Sequence, residues 1–388
     1  MAELLDICRA ARVAQERNEP CWVASVMRVK GSAYRHAGAR LLFSSGQGLA
    51  GSVSGGCLEA SIVRKGPWLT RERAVCVRYE GGREEGDDES EWGTGCDGAV
   101  DVLIERVDFG SRSEPLSFIE ACLKAERRAV LLTVFRSENP GLPIGARVGL
   151  DELGNGMTSV RDPADCAALS WAAEGVLGET HPQSRLVHGE CFDALLEIIA
   201  PAPHLFVFGS GPDAVPVVEL AGTLGLGVTV CEPNPRVAVR ERFRGRAELH
   251  LGSAEAALAL IESRRTPLSV VMGHHYPTDR EALAMLLRSG ATYIGMLGPE
   301  RRTRKMFGEL FPNFVGPLPA RVRAPIGLNL GAETPTQIAL SIVAEIQAVL
   351  GQASAEPLSR CTARPIHALE AELTLHSAPT LLARTGTR

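Results

Sequence analysis

Between His204 and Glu232 an apolar run, a glycine turn, a helical pattern and a second apolar run follow one another directly, an order few folds accommodate. His204-Leu205-Phe206-Val207-Phe208 reads as a short buried strand, and Gly209-Ser210-Gly211-Pro212-Asp213-Ala214 follows at once. A helical pattern covers 215–224, a turn 225–227, and a second strand 228–231 closes on Glu232. This is a G-x-G-x-x-A turn between strand and helix, with an acid ending the next strand. Gly209 allows the tight turn, Gly211 lets backbone approach a phosphate, and small Ala214 lets the helix pack on the sheet. The helix N-terminus attracts the phosphate, and Glu232 can accept from a ribose hydroxyl. A nucleotide is therefore expected at this turn, against the alternative of a nucleotide-type fold whose site is empty or adapted. Arg236 would suit an additional phosphate.

Further strand–helix units follow, with strands at 247–251, 268–272 and 292–296 and helices at 253–263, 278–287 and 301–310. The last helix, 334–350, opens with Thr334 as N-cap, Pro335 at the first helical position and Gln337 three after the cap. Strands alternating with helices imply a doubly wound parallel sheet, in which ligands bind at the carboxyl ends of the strands. His274 and His275 follow the strand ending at Met272 and fall on that edge, as ligand contacts or as hydrogen-bonded structural residues.

The fold expected is α/β. An N-terminal α+β domain over 1–200 divides into a core, 1–110, and an extension, 111–200. After the linker Pro201-Ala202-Pro203 a Rossmann-like domain runs over 201–351, and 352–388 reads as a tail, mostly loop. The 388 residues carry a formal net charge of −5, so no global basic field recruits nucleic acid or an anionic membrane. Nothing approaches an apolar run long enough to span a bilayer. Residues 1–20 carry Glu3 and Asp6 where a signal peptide would be cationic and then apolar, so a short amphipathic helix and a cytoplasmic protein are expected. The acidic stretch 84–91 reads as a solvated loop rather than a cation site.

The ten cysteines are scattered with no CxxC pair, which argues against a zinc knuckle or disulfide framework. Most should be buried and inert. Cys57 and Cys96 differ, because each lies in a glycine cluster: Gly51-Ser52-Val53-Ser54-Gly55-Gly56-Cys57-Leu58-Glu59, and Gly93-Thr94-Gly95-Cys96-Asp97-Gly98. Glycines flanking a cysteine let successive amides converge into an anion-binding nest. At a helix N-terminus the same field lowers a thiol pKa, giving a nucleophile, a persulfide carrier or a soft metal ligand. The plainer reading is turn glycines around gap-filling thiols. Arg35 and Arg40, in the glycine-rich stretch 31–40, could fork onto phosphate or carboxylate.

At these residues the sequence closely resembles the XdhC/CoxI family, the maturation factors of xanthine and carbon monoxide dehydrogenases. The matching stretches are Gly31-Ser32 with Gly38-Ala39-Arg40, the loop 51–59, Trp92-Gly93-Thr94-Gly95-Cys96 with Gly98, and Val207-Phe208-Gly209-Ser210-Gly211. Val270-Val271-Met272-Gly273-His274, Tyr293-Ile294-Gly295-Met296-Leu297-Gly298 and Ala324-Pro325-Ile326-Gly327-Leu328 with Gly331, Thr334 and Pro335 continue the match in the family's order. The resemblance implies a glycine–cysteine domain followed by a Rossmann-like one. It implies molybdenum cofactor (molybdopterin) as cargo, sulfuration by a cysteine desulfurase, and handover to the large subunit of a xanthine or carbon monoxide dehydrogenase-type molybdenum hydroxylase. A homodimer is expected, with no nucleic-acid or membrane partner. Asp97 stands where many relatives have a second glycine, and the region 115–200 marks a long form of the family.

The cofactor-binding residues expected are Cys57, as a molybdenum ligand, with Gly55, Gly56, Gly51, Ser54, Arg35, Arg40 and Cys96 in the first domain. In the second they are Gly209, Gly211, Ala214, Glu232, His274 and His275. No G-x-S-x-G elbow, H-E-x-x-H, Walker lysine or paired-cysteine motif appears, which favours a cofactor chaperone over an enzyme. The alternatives are an NAD(P)-dependent oxidoreductase with His274 or His275 as acid–base, and a nucleotide-sensing regulatory protein.

Overall fold

A computed structural model describes residues 2–31, 33–56, 58–80, 98–111, 113–179, 182–233, 237–360 and 372–375. The chain divides into two units at residue 201/202.

In the first unit, helix α1 (Ala2–Glu16) precedes a five-stranded antiparallel sheet. Its strands are β1 (Cys21–Lys30), β2 (Arg40–Ser44), β3 (Gln47–Gly51), β4 (Val75–Glu80) and β5 (Ala99–Arg106), in the order β3-β2-β1-β5-β4. Helix α2 (Glu59–Leu69) lies between β3 and β4 in the chain. Strand β1 is apolar on both faces because both are covered. Trp22, Ala24 and Val26 pack with Phe43, Ile62 of α2 and Ile104, while Cys21 and Val23 pack with Ile7 and Ala11 of α1.

Helix α3 (Pro115–Lys124), capped by the Glu114 carboxylate on the amides of Leu116 and Ser117, leads into a second sheet. Its strands are β6 (Ala129–Ser137), β7 (Arg147–Asp151), β8 (Gly156–Thr158), β9 (Arg185–His188) and β10 (Phe192–Ile199), with α4 (Pro163–Leu177) between β8 and β9. Strand β6 alternates between the two faces. Val130, Leu132 and Val134 pack beneath α4, whereas Leu131 joins the core built by α1 and β1. Buried ion pairs tie the two sheets together: Arg40 of β2 to Glu197 of β10, and Arg147 of β7 to Glu105 of β5 at 2.6 Å.

The second unit is built on a six-stranded parallel sheet. Its strands are β11 (His204–Phe208), β12 (Gly227–Glu232), β13 (Glu248–Leu251), β14 (Pro267–Val271), β15 (Tyr293–Met296) and β16 (Val322–Arg323). The order β13-β12-β11-β14-β15-β16 reverses at β11, the topological switch point of a Rossmann-type sheet. Helices α5 (Ala214–Thr223), α6 (Val237–Phe243), α7 (Leu258–Glu262), α8 (Tyr276–Arg288), α9 (Glu300–Leu310) and α10 (Pro335–Leu350) cover both faces. Leu205 and Val207 of β11 pack under α5 and α10, and Phe206 and Phe208 under α8 and α9. That double burial is why β11 reads as an unbroken apolar run. Truncating Phe206 to Ala would cost about 3–5 kcal/mol. The capping box at Thr334 and Gln337 forms as the sequence predicts.

The described residues of the region expected as a tail include a strand. Strand β17 (Glu372–Thr374) pairs parallel with β9 and so extends the second sheet of the first unit. Its shortness hides it from sequence reading. Among the described residues, no helix is long and apolar enough to cross a membrane.

Candidate functional site

The loop after β3 wraps around its own carboxylate. Glu59, at the first turn of α2, accepts from Ser52 Oγ at 2.7 Å, Val53 N at 3.0 Å and Ser54 N at 2.9 Å on one oxygen. On the other it accepts from Gly56 N at 2.9 Å and from Ser54 Oγ. Two further amides of the loop are paired, Gly55 N to Ser52 Oγ and Leu58 N to Ser54 Oγ. Partial burial pushes the Glu59 carboxyl up, but the Ser54 and Ser52 hydroxyls and the Ser54 amide outweigh it and hold it at about 2. The anion nest expected for a ligand is thus filled by the chain itself. Gly51 (φ +79°) is required here, because a Cβ on it would lie 2.2 Å from the Arg40 carbonyl oxygen. Gly55 and Gly56 are exposed, and the exposed Tyr34 ring lies against Gly55.

Cys57 and Cys96 lie outside the described residues, as do Asp97, Arg236 and the acidic stretch 84–91. The remaining expected cations are engaged elsewhere. The Arg40 guanidinium is buried and forks onto a carboxylate of the chain itself, that of Glu197, Nη1 at 2.8 Å from one oxygen and Nη2 at 2.5 Å from the other, with Nη1 also on Gly38 O. A phosphate would have to displace a buried bidentate partner. Arg35 pairs with Glu3 of α1. Sequence reading missed Arg64, exposed on α2. It borders a broad groove of about 970 Å³ beside the loop, lined among others by Leu41, Ala50, Gly51, Glu59 and Val63. The spacing of Arg64 one turn beyond Ala60 was the available signal.

Five described thiols are suppressed by burial: Cys21 and Cys122 are pushed up to about 11, and Cys8, Cys76 and Cys231 to about 12. Cys191 is exposed, an exception to the expected burial.

In the second unit a cleft of about 200 Å³ opens at the carboxyl ends of β11, β12 and β14. Gly209 (φ +127°) makes the turn out of β11, and a Cβ there would sit 2.8 Å from the Met272 carbonyl. Ser210 Oγ donates to Glu232 Oε2 at 2.5 Å, and Arg242 donates to Ser210 O. Ala214 is fully buried in the core beneath α5. The phosphate space departs from expectation. A Cβ on Gly211 would meet Asp213 Oδ1 at 2.4 Å, so the Asp213 carboxylate lies where the motif leaves room for a ligand. Its Oδ2 pairs with His274 Nε2 at 2.8 Å, and His274 is held at φ +60°. Pro212 brings no amide, while Ala214 N and Val215 N donate to the carbonyls of Gly211 and Pro212. His275 lines the cleft with its Nδ1 2.7 Å from Thr278 Oγ1. Asp279, also lining it, is buried, pairs with Arg302 at 2.7 Å, and has its carboxyl raised by burial against the pull of Arg302. Asp213 was missed because an acid before a helix reads as an N-cap, yet its side chain makes no cap hydrogen bond.

Two family descriptions match separate parts of the chain: "XdhC and CoxI family" over residues 14–80 and "XdhC Rossmann domain" over 205–346. The chain belongs to the XdhC and CoxI family. A probable xanthine dehydrogenase subunit of Bacillus subtilis is 28% identical over 341 residues, 85% of this chain and 93% of that protein. The protein YqeB of Escherichia coli is 29% identical over 167 residues, 42% of this chain and 30% of YqeB. A crystal structure described as a xanthine dehydrogenase from Bacillus halodurans superposes with a TM-score of 0.71 at 25% identity, covering 91% of this chain and 99% of that one. The XdhC Rossmann match coincides with the parallel sheet and its cleft. The XdhC and CoxI match ends at β4 and contains the Glu59 loop.

Proposed function

We propose that this XdhC-type protein is an accessory factor rather than a catalyst. It binds molybdenum cofactor as cargo, supports sulfuration of that cargo by a cysteine desulfurase, and delivers it to a xanthine or carbon monoxide dehydrogenase-type hydroxylase. The observation that supports this most is the loop 51–59. The residues on either side of Cys57, Gly56 and Leu58, donate their amides into one Ser54–Glu59 pair. A loop braced on both sides of a thiol suits a soft ligand or persulfide carrier. The cargo is an anionic pterin dithiolene with a phosphate, so it also needs room and a cation. The groove beside the loop offers the first and Arg64 the second. Because the amides already serve Glu59, charge on the cargo falls to side chains rather than to the nest.

The test is cofactor content of anaerobically purified protein, read as pterin fluorescence after oxidation. Cys57→Ser is expected to lower retention at least about tenfold, a loss of about 1.4 kcal/mol of binding, with an unchanged melting temperature. Cys231→Ser, a buried thiol in β12, serves as control. Delivery is read by adding loaded protein to apo-hydroxylase. Activity should return in proportion to cofactor delivered, with at most one equivalent per loaded site. Equal retention in wild type and Cys57→Ser, or catalytic restoration from trace protein plus free cofactor, overturns the proposal.

A further inference from the structure

The cleft of the second unit has the walls of a nucleotide site and, where the phosphates would go, a carboxylate. We propose that it is a ribonucleoside site that rejects 5′-phosphorylated forms. The inference stands apart from the cargo reading, because every residue of the cleft lies in the second unit.

Four observations carry it. The cleft sits at the switch point of the sheet, and its volume of about 200 Å³ suits a nucleoside better than a dinucleotide. The Glu232 carboxylate at the end of β12, linked to Ser210 Oγ at 2.5 Å, is placed to accept from a ribose diol. Small residues, Gly252, Ala254 and Ala282, leave a slot for a base. Behind that slot, 3.3 Å from where a Gly252 Cβ would be, His250 Nε2 is buried without a hydrogen-bond partner among the described residues.

The fourth observation concerns what a 5′-phosphate would meet. In dinucleotide sites the second glycine gives way to the phosphate and the helix amides receive it. Here the space in front of Gly211 holds Asp213 Oδ1, and His274 keeps that carboxylate in place through its other oxygen. Pro212 has no amide, and the amides of Ala214 and Val215 are turned to carbonyls of the turn. A phosphate would therefore meet a negative charge. A bare nucleoside ends in a 5′-hydroxyl, which can donate to Asp213. The same carboxylate thus favours one ligand and opposes the other, which is how specificity is built by repulsion as well as attraction.

Calorimetry on the full chain, with the four common ribonucleosides and their 5′-monophosphates, tests this. At least one nucleoside should bind, with its monophosphate at least about tenfold weaker. Asp213→Asn keeps the size and an acceptor for His274, and should bring the pair to within about threefold. Glu232→Gln should weaken the nucleoside, and the 2′-deoxynucleoside should be weaker in wild type. Cys57→Ser should leave nucleoside affinity unchanged, whatever it does to cargo. Failure of all four nucleosides to bind at millimolar concentration overturns the proposal. So does a monophosphate or NAD binding wild type more tightly than the nucleoside, or Asp213→Asn leaving the discrimination intact.

Discussion

In the loop 51–59 five donors converge on Glu59, whereas in the turn 209–214 the Asp213 carboxylate is held, among the described residues, by His274. Both are glycine turns at the start of a helix, and in each a carboxylate of the chain stands where a bound anion is expected. The difference lies in how firmly it stands. Glu59 is integral to its loop, since removing it would strand amides and hydroxyls at once. Asp213 can be exchanged for a neutral group without touching the backbone. A glycine-rich turn therefore does not announce an anion ligand until the nearby acids have been placed.

Substitutions that separate the two turns should differ most at Gly209. Gly209→Val forces a branched side chain into φ +127° and against the Met272 carbonyl at 2.8 Å. It should destabilise the second unit by about 3 kcal/mol or more. Denaturant unfolding checks this, and a loss below about 1 kcal/mol would mean that the turn relaxes freely. Glu59→Gln should cost about 1–3 kcal/mol and open the loop to proteolysis, because an amide replaces an oxygen that accepts several donors. A variant loop as resistant as wild type would show that the carboxylate does not set its shape.

Acid should affect the two units in different windows. Burial, with Arg264 adding to it, holds His204 of β11 down at about 4, below its ordinary 6.5. Its neutral state thus supports the second unit fully above about 6.5, and that support is lost as pH falls towards 4. The Glu59 carboxylate, at about 2 against an ordinary 4.5, supports its loop above about 4.5 and loses it between 4.5 and 2. Hydrogen exchange on a pH series should show β11 amides losing protection first. The reverse order would contradict the comparison. The smallest effect is expected for Gly211→Ala, below about 1 kcal/mol, since its Cβ meets only the movable end of Asp213. It should nevertheless shift the His274 ring signals, and an unaltered spectrum would place Asp213 elsewhere.

Much of the second unit was legible residue by residue. The apolar run of β11, the turn at Gly209 and the capping box at Thr334 are local patterns. Each is dictated by backbone stereochemistry over a few positions. Strand β17 was not legible, because three residues added to the edge of β9 are too few to establish a period. The site was legible only as a list of parts. Arg40 read as a cation for a ligand because its neighbours are glycines, and nothing near it in sequence points to Glu197.

What the sequence determined by itself was the Rossmann-type order of elements, the loop that carries Cys57 and the family to which both belong. What only the tertiary structure decided was the occupancy of the anion sites. The pairing of β10 with β6 places Glu197 under Arg40. The turn into α2 brings Glu59 back on its loop, and the end of β14 sets His274 against Asp213. Charge is a property of single residues and can be read off a chain, whereas neutralisation is a property of distance. Distances between residues far apart in sequence exist only once the chain has folded.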